Sequence, residues 1–324
     1  MPLLPSDYEA PPLLRGGHLQ TLYASLARRV DFEYARRERI ATSDGDFLDL
    51  DWSPTGADRV VVLTHGLEGS AARGYMRGMA RALHRRGWDV VAWNLRGCSG
   101  APNRRVRTYH SGATGDLARV LDHVLATGRY DTAAMIGFSL GGNLTLKYLG
   151  ERGDAVDGRI RGAAAFSTPI DLMGCAHELA RRSNWHYTQY FLQSLRAKIR
   201  TKKQQWPQHV DDVPLDFLRT LTDFDDYYTA PLNGFENALD YYRHASSKPL
   251  LGDIRVPTLL VNAANDPFLA PSCYPRDLAR EHPHLTLEVP DHGGHVGFVS
   301  FDTDGTYWSE RRAVSFLRTQ AVPA

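Results

Sequence analysis

Ser139 is the residue of this sequence whose surroundings most directly suggest covalent chemistry. It lies in IGFSLGGN (136–143), which contains the pattern Gly-x-Ser-x-Gly. Where a strand ends just before such a serine and a helix begins just after it, the sharp turn presents the hydroxyl as a nucleophile. That turn needs small residues two positions before and after the serine, and Gly137 and Gly141 supply them. A glycine-rich turn with a passive serine has the same letters, so the pattern alone leaves both interpretations open.

A serine hydroxyl is a poor nucleophile unless a general base takes its proton. Two histidines compete for this role in DHGGHVGF (291–298), namely His292 and His295. His295 follows two glycines, which allow a tight loop to bring an imidazole close to another part of the backbone. The apolar residues after it can bury the far side of the loop. We therefore favour His295 as the base, with His292 as a cap on the preceding strand.

The base in turn needs a carboxylate that fixes its tautomer and stabilises the imidazolium. Asp266, in NAANDPF (262–268), follows a predicted strand, and the next strand leads to His295. Asp171, in STPIDL, also follows a strand end and stays an alternative, although we favour Asp266. The order Ser139, Asp266, His295 along the chain is that of the α/β hydrolases.

The stretch THGLEGS (64–70) is the candidate for an oxyanion hole. After a strand, His65 and Gly66 turn the chain and leave the backbone N–H of Leu67 free. Leu140 follows the serine, and its N–H is the second candidate. The N–H groups of Leu67 and Leu140 are thus predicted to be two donors aimed at a developing oxyanion. We interpret His65 itself as a loop-stabilising residue.

The elements that must position these residues are short apolar strands alternating with helical patterns. The predicted strands are 59–66, 88–97, 133–139, 159–169, 257–267 and 285–290, and the predicted helices are 70–87, 116–128, 140–152, about 274–281 and about 306–319. This alternation predicts an α/β fold with a mostly parallel sheet flanked by helices, with the site beyond the carboxyl ends of the strands. Residues 29–54 differ, because two strands joined by SDGD predict an antiparallel pair at the sheet edge.

The alternation breaks between about 171 and 245, where the sequence is aromatic and helical. This segment is too long for a plain connection. We therefore expect a sheet-containing core from residues 1–170 and 246–324, with a helical cap inserted at 171–245. The aromatic residues of the cap could line an acyl pocket or only pack the cap onto the core, and the sequence does not separate the two.

Composition excludes several other classes of protein. Lys and Arg number 38 and Asp and Glu 37, so no global field favours nucleic acid. The three cysteines are too scattered for a disulfide framework or a metal-ligand spacing. No signal-peptide pattern and no apolar run long enough to span a membrane is present, which predicts a soluble, cytoplasmic protein. The basic run 196–205 predicts a solvated helix face, and an attraction to anionic lipid stays an unsupported alternative.

Taken together, the motifs resemble the α/β-hydrolase superfamily, and the wider pattern is similar to its YheT-like branch. The matching pieces are GGHLQTL (16–22), LTHGLEGS (63–70), NLRGCSG (94–100), YHSGATGDL (109–117), GFSLGGN (137–143), NDPF (265–268) and GGHVGF (293–298). The resemblance implies a serine hydrolase of acyl esters without metal or cofactor, with Ser139, Asp266 and His295 as the triad. Val296 stands where relatives often have leucine, a minor departure. The animal relatives are membrane-associated lipid esterases, whereas an N-terminal membrane helix is not expected here.

The expected activity is a carboxylic-ester hydrolase, or serine esterase, acting on short- to medium-chain acyl esters, with monoacylglycerols or phospholipids as narrower alternatives. Acyl transfer or thioester cleavage by the same triad, and a non-catalytic binding module, stay open. The sequence does not identify the ester or the oligomeric state. Packing roles are expected for His18–Thr21 and for Tyr109-His110, and Cys98 is expected to be inert.

Overall fold

A nine-stranded mixed sheet forms the centre of the computed structural model, which describes residues 3–211 and 215–320. Its strands are β1 (Leu3–Leu4), β2 (Arg36–Ala41), β3 (Phe47–Ser53), β4 (Arg59–Thr64), β5 (Asp89–Asn94), β6 (Thr132–Phe138), β7 (Ile160–Phe166), β8 (Thr258–Val261) and β9 (Leu285–Glu288). They lie in the order β1-β9-β8-β7-β6-β4-β5-β3-β2. The strands from β1 to β5 in this order are parallel, which confirms the predicted fold class.

The two strands at one edge run antiparallel, as the sequence predicts. β2 pairs with β3, and β3 pairs with β5. At the opposite edge, the described part of β1 pairs in parallel with β9 through Leu3 and Leu4. A dipeptide carries no periodicity, so this strand could not be recognised from the sequence.

Helices cover both faces of the sheet. They are α1 (Gly17–Leu26), α2 (Gly74–His84), α3 (Thr114–Leu125), α4 (Leu140–Arg152), α5 (Leu172–Leu179), α6 (Trp185–Gln205), α7 (Leu221–Phe224), α8 (Ala230–Leu232), α9 (Ala238–Ala245), α10 (Arg276–Glu281) and α11 (Trp308–Gln320). Alternating residues of β4 point to opposite faces. Val60 and Val62 belong to the core under α3 and α4, whereas Val61 and Leu63 belong to the core under α2 and α11.

The segment between β7 and β8 contains helices α5 to α9. A small apolar cluster centred on Leu192, Ile199 and Phe224 packs helices α5 to α8 against one another and against Leu67, which follows β4. The helical content agrees with the prediction, while the division into a core and a cap at 171–245 stays a prediction. Residues 1–2, 212–214 and 321–324, which that division includes, lie outside the described residues.

The basic run at 196–205 differs from the solvated face that its composition predicts. Lys202 is almost fully buried, and its ammonium donates to the backbone carbonyls of Asn103 and Arg105. Arg196 donates to two carbonyls of the same inserted segment, at 2.6 and 2.9 Å. The prediction is wrong for Lys202, because buried carbonyl groups, which the sequence does not reveal, offer its ammonium acceptors.

The tight packing at the glycines around Ser139 can be tested by substitution. A Cβ at Gly137 would overlap the backbone of Gly141, so Gly137→Ala is expected to lower the free energy of unfolding by about 3 kcal/mol. Gly115, exposed near the start of α3, has open space around it, so Gly115→Ala should be neutral or raise stability by up to about 1 kcal/mol. Urea unfolding of both variants measures the difference, and equal effects would contradict this packing.

Candidate active site

Ser139 lies on a sharp turn between β6 and α4. Its backbone has φ 52° and ψ −121°, a conformation that non-glycine residues rarely adopt. The Ser139 N–H donates to the carbonyl of Phe166 on the neighbouring strand at 2.9 Å. A Cβ at Gly141 would overlap the carbonyl oxygens of Thr64 and His65, so no larger residue fits there. The predicted strained elbow is therefore present.

A continuous chain of hydrogen bonds links Ser139, His295 and Asp266. His295 Nε2 lies 2.9 Å from Ser139 Oγ, and His295 Nδ1 lies 2.9 and 3.2 Å from the two carboxyl oxygens of Asp266. Because the Asp266 oxygens accept, Nδ1 carries the proton and Nε2 is free to accept from the serine hydroxyl. The side chain of Asp266 is fully buried, and that of His295 is 10% exposed. The ring of Phe268 packs on the imidazole, with centroids 4.2 Å apart.

The loop that carries His295 is held by contacts from two distant segments. The N–H of His295 donates to Thr21 Oγ1 of helix α1 at 2.8 Å, and the N–H of Val296 donates to Ser167 Oγ at 2.8 Å. Ser167, Val296 and Phe298 all have positive φ. Strained backbone of this kind persists only where surrounding contacts hold it, and it clusters at functional sites.

The structure places the two rival residues elsewhere. Asp171 caps the N-terminus of α5, where its side chain accepts from the N–H of Gly174 at 3.1 Å, and it lies 3.5 Å from the ammonium of Lys248. His292 Nδ1 lies 3.5 Å from the side-chain nitrogen of Asn265. Of the candidates, the structure thus brings together Ser139, His295 and Asp266.

The predicted oxyanion loop forms a tight turn, closed by the Gly69 N–H donating to the Gly66 carbonyl at 3.0 Å. His65 is fully buried beneath it, with Nδ1 donating to the Gly66 carbonyl at 2.8 Å and Nε2 accepting from the Leu95 N–H at 3.1 Å. Burial lowers the pKa of His65 to about 4. His65 therefore stays neutral and stabilises the loop. Leu140 is the first residue of α4, where helix geometry leaves the N–H without an intrahelical partner.

Beside Ser139 and His295 opens a cavity of about 390 Å³. Its walls are mainly apolar and come from loops at the edge of the sheet and from helices α5 to α7, including Leu179, Phe191, Leu195, Leu221 and Phe224. A few polar groups also line it, among them Asp225, whose pKa burial raises to about 6. Such a mainly apolar cavity of this size suits a small organic ligand.

Sequence reasoning missed Thr21 and Ser167 as residues that hold the site. Thr21 belongs to the motif GGHLQTL, for which only packing was expected, and Ser167 directly follows β7 within a motif noted only for its aspartate. Chain order could not show that both hydroxyls accept backbone N–H groups of the histidine loop. Within residues 3–211 and 215–320, no cluster of three or more His, Cys, Asp or Glu side chains could hold a metal ion.

With this geometry in place, the comparisons define the class of protein. The model of the α/β hydrolase fold family matches residues 59–302, which is well over half of the chain. YheT of Escherichia coli (strain K12), whose name places it provisionally among the esterases, is 35% identical over 314 residues, covering 93% of this chain and 90% of YheT. The chain therefore belongs to the α/β hydrolase fold family. Within that family it belongs to the branch that contains YheT.

Other similar proteins agree with this assignment. Human phospholipase ABHD3 is 29% identical over 276 residues, covering 82% of this chain and 66% of that protein. A solved structure of the Pyrococcus furiosus esterase Pf2001 superposes with a TM-score of 0.61 and 18% identity, covering 91% of this chain and 97% of Pf2001. At that identity, the likeness demonstrates the shared fold. In the part of the chain that the structure describes, no helix has the length and hydrophobicity to cross a bilayer.

The burial of His65 predicts that the free energy of unfolding depends on pH. Its folded pKa of about 4 lies below the ordinary value of 6.5, so the stability it contributes is complete above 6.5 and is lost as pH falls toward 4. His65→Asn removes this titration. The stability gap between wild type and variant should therefore shrink by roughly 1–2 kcal/mol between pH 7 and pH 5.

Chemical unfolding at the two pH values measures this gap. A His65→Asn gap that does not change with pH would contradict the neutral, buried state.

Proposed function

We propose that this protein is a carboxylic-ester hydrolase in which Ser139 is the nucleophile, His295 the general base and Asp266 the residue that orients the histidine. The observation that carries this proposal is the hydrogen-bond chain from Asp266 through His295 to Ser139 Oγ, with both bonds at 2.9 Å. His295 Nε2, the proton acceptor, faces the Ser139 hydroxyl, and this chain of hydrogen bonds ends beside an apolar cavity. The esterase and phospholipase names of the relatives support the same reaction class.

The reaction follows from this arrangement in two halves. Ser139 Oγ attacks the ester carbonyl carbon while His295 Nε2 takes the hydroxyl proton, and the backbone N–H groups of Leu67 and Leu140 bind the tetrahedral oxyanion. The C–O bond to the alcohol breaks as His295 returns the proton to it, which leaves an acyl-enzyme. Water then attacks the acyl carbon, its proton passing through His295 to Ser139 as the acid departs.

The cavity supports short- to medium-chain acyl esters as substrates. Its apolar walls suit the acyl chain, and a volume of about 390 Å³ lies in the range of sites for small organic ligands. Much of the wall comes from residues 171–245, which we propose act as a cap over the core. Monoacylglycerols and phospholipids remain narrower candidates, and ABHD3 bears a phospholipase's name.

The assignment of the nucleophile predicts the behaviour of a fluorophosphonate probe. Wild-type protein should be labelled covalently, and Ser139→Ala should abolish labelling and ester turnover. Asp266→Asn should lower kcat by about 10³–10⁴-fold because His295 loses its correct tautomer. Gel fluorescence for labelling and p-nitrophenyl butyrate hydrolysis for turnover measure these effects.

Asp171→Asn is the matched control. Asp171 also lies beyond a strand end, but its carboxylate does not bond to His295. It should keep wild-type labelling and kcat within about threefold. Equal labelling of wild type and Ser139→Ala would reject the nucleophile, and an intact protein without labelling would favour a binding module. A large loss confined to Asp171→Asn would move the acid to that residue.

The cavity predicts how turnover depends on acyl-chain length. With p-nitrophenyl esters, kcat/KM should rise by about two- to fourfold for each added methylene until the cavity is filled, because each methylene is transferred from water to an apolar wall. Leu195→Phe narrows the cavity and should move the optimum to shorter chains. Leu239→Phe, at an exposed position of α9, should not move it.

An optimum that is identical in wild type and Leu195→Phe would contradict this acyl site. Added alcohol separates hydrolysis from acyl transfer on the same donor. Ester product exceeding acid product at low alcohol concentration would favour an acyltransferase over the hydrolase proposed here.

A further inference from the structure

Glu68 is the residue that follows the proposed oxyanion donor Leu67, and its backbone is strained. Its φ of 51° lies in the left-handed region that favours glycine, yet the residue at this position is a glutamate. Glu68 occupies the third position of the turn that the Gly69 N–H closes onto the Gly66 carbonyl. A side chain retained in such a conformation indicates that its own contacts matter.

The carboxylate of Glu68 accepts from three donors. The Tyr109 hydroxyl donates to Oε1 at 2.6 Å, the Lys198 ammonium lies 2.7 Å from the same oxygen, and the Ser194 hydroxyl donates to Oε2. The Tyr109 hydroxyl also accepts the backbone N–H of Glu68 at 3.0 Å. One tyrosine therefore fixes both the backbone and the side chain of the residue next to Leu67.

Charge makes this cluster sensitive to its partners. The Glu68 side chain is 2% exposed, and a buried carboxylate is costly unless it is paired and hydrogen-bonded. The Cys98 thiol lies 3.0 Å from Lys198 Nζ, but burial raises the pKa of Cys98 to about 11, so that thiol stays neutral. The ammonium of Lys198 is thus balanced by Glu68.

The three donors come from two different parts of the chain. Tyr109 belongs to the core, whereas Ser194 and Lys198 lie one turn apart on α6, within the inserted segment. The cluster also joins motif residues that the reaction leaves without a role, namely Glu68, Tyr109 and Cys98. The ion pair is therefore a direct link between the inserted helix and the oxyanion loop.

Resting on the proposed function, we propose that Glu68 is a positioning residue that holds the Leu67 N–H in the oxyanion hole, and that Lys198 of α6 holds Glu68 in turn. Full stabilisation of the oxyanion then requires α6 to be seated on the core. Without Lys198, the buried Glu68 carboxylate loses its countercharge and one of its three donors, so it no longer stays in place and no longer holds the Leu67 N–H.

Lys198→Met and Glu68→Gln test this role through the kcat and KM of p-nitrophenyl butyrate hydrolysis. Each variant should lower kcat by about 10–100-fold, less than or comparable to the loss of a full oxyanion donor, with KM within about threefold. The inhibition constant of a trifluoromethyl ketone, whose serine adduct carries an oxyanion, should rise by a similar factor. The double variant Glu68→Gln/Lys198→Met leaves no unpaired charge and should lose no more kcat than the weaker of the two single variants, because both changes break the same ion pair.

Arg196→Met is the matched control, because it removes another basic side chain of α6, whose two hydrogen bonds within the described residues go to the carbonyls of Leu215 and Leu218. It should leave kcat and ketone inhibition within about threefold of wild type. Thermal unfolding establishes that each variant is folded, and the charge-free double variant keeps the test informative if a single variant is not.

Two outcomes would overturn the positioning role. One is that both single variants keep the wild-type kcat and the wild-type affinity for the ketone. The other is that the single variants change KM but not kcat. Ser139→Ala, assayed in parallel, separates this failure from failure of the proposed function. If Ser139→Ala abolishes turnover while Glu68 and Lys198 variants do not, only the positioning role is rejected. If wild-type turnover survives Ser139→Ala, the hydrolase mechanism itself is rejected.

Discussion

The contact between His295 Nε2 and Ser139 Oγ, at 2.9 Å, is the constraint on which the rest of the site depends. It requires a loop after β9 and a turn after β6 to meet at one edge of the sheet. The parallel order of β6, β7, β8 and β9 makes this meeting possible, because every one of these strands ends at that edge. The strained residues on these loops are held by hydrogen bonds from their backbone N–H groups, and not by the reacting groups themselves.

The same edge explains why so much polar structure is buried here. His65 stays neutral beneath the oxyanion loop, Thr21 and Ser167 hold the histidine loop, and the Glu68 carboxylate is satisfied by three donors. Each contact fixes a backbone group near the reacting atoms. Preorganised donors of this kind stabilise developing charge without reorganising during the reaction, which is where the largest part of catalysis usually arises. Helices α5 to α7 add an apolar wall, and Lys198 of α6 adds one ion pair with Glu68.

Local patterns were enough to predict most of the core. Helix α4 has the predicted bounds 140–152, because an elbow glycine and a run of apolar residues determine where it begins and continues. The antiparallel β2–β3 pair was equally visible from its turn. The predicted strand at 257–267 is observed only at Thr258–Val261, because the side chain of Asn262 bonds to Thr168 and Cys273 and the chain leaves the sheet there.

The three proposed triad residues were found from the sequence because chain order and strand ends constrain them strongly. Contacts between distant segments were not, since neither Thr21 nor Lys198 has a local pattern that reveals its partner. The basic run of α6 shows this most clearly. Its composition predicts exposure, whereas Lys198 and Lys202 point inward because a carboxylate and two carbonyls lie beneath the helix.

Locating the acyl group during turnover tests the central claim most directly. Wild-type protein is mixed with p-nitrophenyl butyrate, quenched in acid within the first turnovers, digested, and examined by tandem mass spectrometry. The mechanism predicts a butyryl group on the hydroxyl of Ser139. A butyryl group on Cys98 or on any other residue, or rapid turnover with no acylated peptide, would contradict it.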